Sequence, residues 1–278
     1  MSTLNHGERA MQSIVLERAE FLALLDVVRA TAIVGIDKAD LFSASANEHG
    51  RKIEEGHRLL ADRGLLRFGS DGLRVLDMGL VSIATVLAYP DLALISVRAT
   101  PGVGRQLFLH YVREGAVVEQ TFPQEGQHRL ATLANPHSLL DRLLEVLPVD
   151  DKDSAEASAQ LPQSEFLSAK EYAEQGRTAD AVAIFTQHGL TIETSLTLVN
   201  AIAAPSFSGT IALLRCEGTQ IVDARNPAVV QGRESAWMIV QTVAGESSFT
   251  ITRINRRSFR DQLAAYFGEL IVVQLPSA

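Results

Sequence analysis

The chain has 278 residues, of which 46% are hydrophobic and 21% charged, a composition typical of globular proteins that excludes disordered and collagen-like chains. Its 25 Lys and Arg residues against 33 Asp and Glu give a formal net charge of −8, the wrong sign for a protein that binds along phosphate backbones. The single cysteine, Cys216, excludes an internal disulfide and a multi-cysteine metal site. Since nothing here requires an oxidising compartment, we expect a cytoplasmic protein.

Neither export nor membrane insertion is expected from the apolar segments. The N-terminal segment carries Glu8, Arg9, Glu17 and Arg18 where a signal peptide needs an unbroken apolar run. The most apolar stretch, Met78 to Tyr89, is well short of the roughly 20 residues that a membrane-spanning helix requires.

The first third of the chain has the apolar spacing of amphipathic helices, as at Phe21, Leu24, Leu25 and Val28. A helix cannot continue into a proline, so the last of these helices must end before Pro90. The helices are expected over Glu17–Ala30, Asn47–Arg63 and Leu73–Ala88.

The helical spacing of apolar residues ends at Leu92. From there to Thr132 the chain consists of short runs rich in residues that favour β-strands: LALISVRA, RQLFLHYVR, AVVEQTF and HRLATL. Turn signals containing glycine separate these runs, which predicts four antiparallel strands. A helix follows, because Asn135 is a good N-cap, Pro136 occupies the first helical position, and leucines form an apolar stripe as far as Leu147.

The acidic, Ala- and Ser-rich segment Val149–Ser164 lacks apolar periodicity and is interpreted as a solvated linker between residues 1–148 and 165–278. The second half repeats the plan of the first, with short helices, a helix that stops before a proline, several strands and an Asn-capped helix. Its expected helices are two within Glu165–His188, one over Thr191–Ala204 and one over Asn255–Phe267, and its expected strands are Phe207–Cys216, Ser235–Thr242, Phe249–Ile254 and a further one near Gln220–Ala224.

The two Asn-capped segments match at a constant offset of 120 residues. The identical positions are Asn135/Asn255, Ser138/Ser258, Asp141/Asp261 and Leu143/Leu263. Together with the repeated order of elements, this similarity indicates an ancient duplication. The predicted fold class is α+β, with two pseudo-twofold-related halves, each a mainly antiparallel β-sheet with flanking helices.

No motif of an enzyme or of a cofactor site is recognised in the sequence. Gly-x-Ser-x-Gly and HExxH are absent, and the glycines of Pro101–Arg105 lack the pattern of a phosphate-binding loop and lie between two strands. Cys216 lies in the apolar run IALLRC, which favours a buried, inert thiol. We therefore expect no metal, no cofactor and no enzymatic activity, and an enzyme without a recognisable motif is kept as an alternative.

Two groups of residues are candidate partner contacts, chosen on physical grounds. Four arginines cluster around the start of the last helix, where the helix dipole disfavours positive charge, so they indicate either an anionic partner or a solvated face. Two large side chains in ESAWMIVQT are expected in the core and become contacts if that face of the sheet is uncovered. The candidates are Arg253, Arg256, Arg257 and Arg260, and Trp237 and Met238.

An alternative function comes from HRLLADRGLLRFGSDGLRVL, which resembles the recognition helix and wing of a winged-helix DNA-binding regulator. The charges in this region do not favour binding to nucleic acid, because acidic residues interrupt every basic stripe. The arginines are Arg58, Arg63, Arg67 and Arg74, and the acidic residues are Glu54, Glu55, Asp62, Asp71 and Asp77.

The layout as a whole resembles the EspG-type chaperones associated with ESX, or type VII, secretion. The stretches that carry the resemblance are HRLLADRGLL with the helix that ends at Ala88-Tyr89-Pro90, LLDRLLEVLP, and GRESAWMIV with SSFTITRINRRSFRDQL. The resemblance implies a cytosolic, cofactor-free protein that binds helical secretion substrates and keeps them soluble before export. Uncovered strand edges also allow a homodimer.

Overall fold

A computed structural model describes residues 13–37, 41, 45–68, 74–152, 156–218, 220–242 and 247–272. Its first elements are β1 (Ser13–Glu17), α1 (Arg18–Val27), α2 (Ala46–Asp62), β2 (Leu66–Phe68), β3 (Arg74–Leu76), α3 (Met78–Ala88), β4 (Leu92–Thr100), β5 (Gly104–Arg113), β6 (Ala116–Thr121), β7 (Gln127–Leu133) and α4 (Pro136–Val146). Then follow β8 (Ser158–Pro162), α5 (Gln163–Glu174), α6 (Thr178–Gln187), α7 (Ile192–Ala203), β9 (Phe207–Glu217), β10 (Gln220–Arg225), β11 (Ala228–Gln231), β12 (Ala236–Thr242), β13 (Ser248–Ile254) and α8 (Arg256–Val272). The α+β class is confirmed.

Eleven of the described strands belong to one sheet, and β2 and β3 form a separate hairpin. The chain divides into two compact units, Met1–Leu94 with Phe108–Leu139 and Leu214–Asp223, and Ile95–Leu107 with Leu140–Leu213 and Ala224–Ala278. In the first unit the strand order is β1-β7-β6-β5-β4-β9, and in the second it is β5-β4-β9-β11-β12-β13-β8. Strands β4, β5, β9 and β10 contribute residues to both units.

The order of elements repeats along the chain, and both Asn caps form. Asn135 Oδ1 accepts a hydrogen bond from the Ser138 N–H at 3.0 Å, and Asn255 Oδ1 accepts one from the Ser258 N–H at 2.8 Å. In each half of the chain, the first strand pairs antiparallel with the last strand: β1 pairs with β7, and β8 pairs with β13. The pseudo-twofold relation between residues 1–148 and 165–278 stays a prediction.

Part of the predicted linker Val149–Ser164 is regular structure. Its residues 158–162 are strand β8, and α5 begins at Gln163. Buried Ala159 and Leu161 alternate with exposed residues along β8 and pack in the core of the second unit. The alternation includes only these two apolar residues, which is too short a run to predict a strand from the sequence. The helix predicted over Leu73–Ala88 is shorter in the structure. It begins at Met78, because residues 74–76 form strand β3.

In the second unit, helices α5, α6 and α7 pack on one face of β8, β11, β12 and β13. The core between these layers contains Phe166, Phe185, Leu198, Trp237 and Ile251, all buried. In the first unit, α1 packs against α2 so closely that a Cβ atom on Gly56 would lie 1.9 Å from the carbonyl oxygen of Ala19.

His128 is a buried polar side chain in the first unit. Its ring stacks on that of Phe21, with 4.0 Å between centroids, and Gln120 Nε2 lies 2.8 Å from Nδ1, which accepts this hydrogen bond when the ring is neutral. Burial, with a smaller contribution from the positive charge of Arg18, lowers the pKa of His128 from 6.5 to about 4.

We expect His128 to make the protein less stable in acid. Between the unfolded pKa of 6.5 and the folded pKa of about 4, the unfolded chain binds a proton that the native ring does not. The stability contribution is therefore complete above pH 6.5 and is lost as the pH falls towards 4, by about 2 kcal/mol between pH 7 and pH 5.

Urea unfolding at the two pH values measures this contribution. The control is His128→Asn, whose amide oxygen offers Gln120 an acceptor and cannot ionise. The free energy of unfolding of the variant should fall less with acid than that of the wild type, by about 2 kcal/mol. An equal fall in both proteins would show that His128 does not carry the effect.

Candidate partner-binding surface

Trp237 and Met238 lie on the central strand β12 and are core residues. Trp237 is 0% exposed, and its indole Nε1 donates a hydrogen bond to Ser235 Oγ at 2.9 Å. Met238 is 3% exposed on the opposite face of the same strand. Both are core residues, as the sequence predicts, and neither side chain offers surface to a partner, because both faces of β12 are covered at these positions.

The four candidate arginines lie at the end of β13 and in the first turns of α8. Arg256 and Arg257 are exposed, and neither forms an ion pair or a side-chain hydrogen bond with any residue that the structure describes. The Arg256 N–H donates to the carbonyl oxygen of Asp150 at 3.0 Å, which holds the start of α8 in place. Two guanidinium groups therefore remain available at the positive end of a helix dipole.

The other two arginines are engaged within the protein. Arg260 Nη1 lies 2.6 Å from Asp141 Oδ1 on α4, in an exposed ion pair. Arg253 is half-buried, and its Nε is buried without a hydrogen-bond partner among the described atoms. The available part of the predicted basic cluster is thus Arg256 and Arg257.

Three large apolar side chains of α5 and α7 are exposed, outside the stripe that packs on the sheet. Leu167 on α5 is 50% exposed, and Ile192 and Leu196 on α7 are 70% and 42% exposed. Ile192 and Leu196 are four residues apart, so they lie on the same face of α7. We call these three residues the helical apolar surface.

A hydrogen bond links the first turn of α5 to the loop between α6 and α7. His188, which follows α6, lies with its Nε2 2.7 Å from Glu165 Oε2 in the first turn of α5. Three residues beyond His188, Thr191 caps α7 through Oγ1, which accepts from the Thr194 N–H at 3.1 Å. The first turn of α5, which carries Glu165, and the residues that lead into α7 are therefore neighbours.

The helical apolar surface was not predicted from the sequence. Ile192 and Leu196 continue the apolar residues of α7, and the sequence does not show which of them face the core. The signal is that apolar residues occupy more of the circumference of α7 than one buried stripe needs, since Leu198, Val199 and Ile202 already form that stripe.

The residues that could act as a nucleophile or as metal ligands are also located in the structure. Cys216 is 2% exposed, its Sγ–H points at the carbonyl oxygen of Leu214, and burial raises the pKa of its thiol. Within the described ranges, no cluster of three or more His, Cys, Asp or Glu side chains is arranged to hold a metal ion. Among those same residues, no helix is both long and apolar enough to cross a membrane.

Comparison with known proteins gives a similarity of fold. No protein-family model matches the chain, and no curated protein matches it by sequence. A solved structure, the Mycobacterium tuberculosis type VII secretion system chaperone EspG5 in complex with the PE25–PPE41 dimer, matches with a TM-score of 0.68 and 13% sequence identity. The match covers 96% of this chain and 98% of that chain. The resemblance expected from the sequence is confirmed at the level of the fold.

Proposed function

We propose that a chain with the fold of EspG5 is a chaperone or adaptor specific to type VII secretion, which binds a helical secreted substrate in the cytosol. The observation that supports this proposal most strongly is the fold, which matches that of the chaperone over nearly the whole length of both chains. The protein acts by binding and not by turnover: association with one conformation of the substrate stabilises that conformation by mass action.

The helical apolar surface is the proposed docking site. Two of its side chains, Ile192 and Leu196, are four residues apart on α7, the helical spacing that an amphipathic partner helix uses for its own anchors. Covering them removes apolar area from water at about 25 cal/mol per Å², so a partner helix with an apolar stripe gains affinity there. Secreted substrates that would expose such a stripe are thereby kept soluble.

Affinity capture tests the function. The tagged protein is recovered from the cytosol of its native host, and the bound proteins are identified and quantified by mass spectrometry. We expect a small helical secretion substrate in a stoichiometric amount. Recovery of the protein alone, or with nucleic acid, would contradict the proposal.

Arg256 and Arg257 are proposed to contact acidic residues of the same substrate. The double variant Arg256→Glu plus Arg257→Glu should bind the captured substrate about tenfold more weakly at low salt, with a smaller difference at high salt because ions screen exposed charges. Titration calorimetry at two salt concentrations measures the effect. The matched control reverses two exposed arginines elsewhere, Arg67→Glu plus Arg105→Glu. Equal losses in both variants would assign the effect to net charge.

The segment that resembles a winged helix consists of a helix followed by two paired strands. Helix α2 is followed by the β2–β3 hairpin, in which Leu66 pairs with Leu76. The exposed face of α2 alternates Arg51 and Arg58 with Glu54 and Glu55, so it offers no continuous positive stripe. Fluorescence anisotropy with duplex DNA at low salt discriminates the two functions: the chaperone proposal predicts no binding, and salt-dependent binding would favour the regulator.

A further inference from the structure

The outer strands of the two units differ in how their backbone groups are satisfied. On β1, the carbonyl oxygen of Val15 accepts a hydrogen bond from Arg63 Nη1 at 3.0 Å, and the N–H of Glu17 donates to Glu20 Oε2 at 2.8 Å. Side chains of the neighbouring helices thus occupy polar groups of that strand, one of the ways in which proteins block edge-to-edge association.

On strand β8, no described side chain forms a hydrogen bond with the outward backbone groups. The Arg253 N–H donates to the Ala157 carbonyl oxygen at 2.8 Å, just before β8, and the Gln163 N–H donates to the Ser247 carbonyl oxygen at 3.0 Å, just after it. Antiparallel pairs alternate between hydrogen-bonded and non-bonded residues, so odd-numbered residues of β8 bond to β13. The N–H and C=O groups of Ser158 and Gln160 therefore point outward.

No described residue satisfies these outward groups, and the side chains do not fold over them. Gln160 Nε2 donates to Ser248 Oγ at 3.0 Å, and Ser158 Oγ donates to the Ile251 carbonyl oxygen at 3.2 Å. Both side chains are thus held on β13, away from the outer edge. The sequence of β8, SAQLP, contains no charged residue, and its proline is at the end. The strand lacks the charges that natural edges use against pairing.

We propose that β8 pairs antiparallel with β8 of a second copy of this chain, with Ser158 opposite Gln160 of that copy. This register lets each outward N–H meet an outward C=O, because the two residues exchange both bonds in an antiparallel pair. Ala159 then lies on the twofold axis, where its small side chain allows close approach. No charged residues oppose each other within residues 156–162, where Glu156 faces Pro162. The dimer is independent of the proposed chaperone activity, which uses another surface.

Sedimentation velocity of the purified chain, over about 1 μM to 1 mM, tests the dimer in the range where small interfaces associate. The wild type should pass from monomer to dimer. Gln160→Pro removes an outward N–H without removing a backbone hydrogen bond to β13, and twofold symmetry removes this donor twice, so the association constant should fall at least about tenfold. Gln160→Val keeps the donor and should dimerise like the wild type.

A charge exchange tests the register and does not depend on tolerance of the proline. Ser158→Lys plus Gln160→Lys places lysines opposite each other and should be monomeric, as should Ser158→Glu plus Gln160→Glu. An equimolar mixture of the two should form a heterodimer, since each lysine then meets a glutamate. A wild type that stays monomeric throughout, a dimer insensitive to these changes, or a mixture that stays monomeric would overturn the proposal.

Discussion

Gly56→Val should destabilise the protein more than any other single substitution proposed for it, by about 4 kcal/mol or more. Gly56 lies on α2 where the backbone of α1 crosses it. A Cβ atom there would lie 1.9 Å from the carbonyl oxygen of Ala19, 2.5 Å from the carbonyl carbon and 2.8 Å from the Cβ of Ala23. Backbone atoms cannot move aside as a flexible side chain can, so the two helices must separate and open the core that contains Phe21.

A glycine of the same helix provides the control for Gly56. Gly50 has no atom within 4 Å of its ideal Cβ position, so Gly50→Ala should gain about 0.5 to 1 kcal/mol from helix propensity alone. Thermal and urea unfolding of both variants measure the difference. A Gly56→Val protein as stable as the wild type would mean that α1 and α2 do not pack as described.

Leu167→Glu plus Leu196→Glu should weaken substrate binding at least about 100-fold, since truncating or charging a central apolar anchor costs about 2 kcal/mol or more for each residue. Both positions are about half exposed and lie in helices that tolerate glutamate, so the fold should survive. A carboxylate left in a covered apolar interface must lose its hydration without a partner, which adds to the loss of apolar contact.

Much of the fold could be predicted from the sequence because local signals and tertiary structure agree. Helix α3 ends before Pro90 and α7 before Pro205, where a proline stops the helix, and Asn135 and Asn255 cap α4 and α8 as their hydrogen-bonding chemistry predicts. Strands β4 to β7 lie between the glycine turns that separate the apolar runs.

The features that could not be predicted depend on partners distant in the sequence. Residues 158–162 form a strand because their backbone groups pair with those of β13, whereas their sequence is typical of a linker. The close approach at Gly56 depends on a helix some 35 residues away, and a glycine within a helical pattern does not show what it touches.

The candidate site was predicted only in part for the same reason. The charges of Arg256 and Arg257 could be read from the sequence, whereas the pairing of Arg260 with Asp141 joins residues 119 positions apart. The exposure of Leu167, Ile192 and Leu196 is a property of the packed helical layer, because apolar residues of a helix look alike until the buried face is known.

Titration calorimetry of the captured substrate against three proteins tests the central claim, that the helical apolar surface binds the partner. The proteins are the wild type, Leu167→Glu plus Leu196→Glu, and a control with the same added charge at exposed apolar positions elsewhere, Met78→Glu plus Val103→Glu. We expect the wild type and the control to bind equally and the first variant at least about 100-fold more weakly. Equal affinities in all three would place the binding site elsewhere on the molecule.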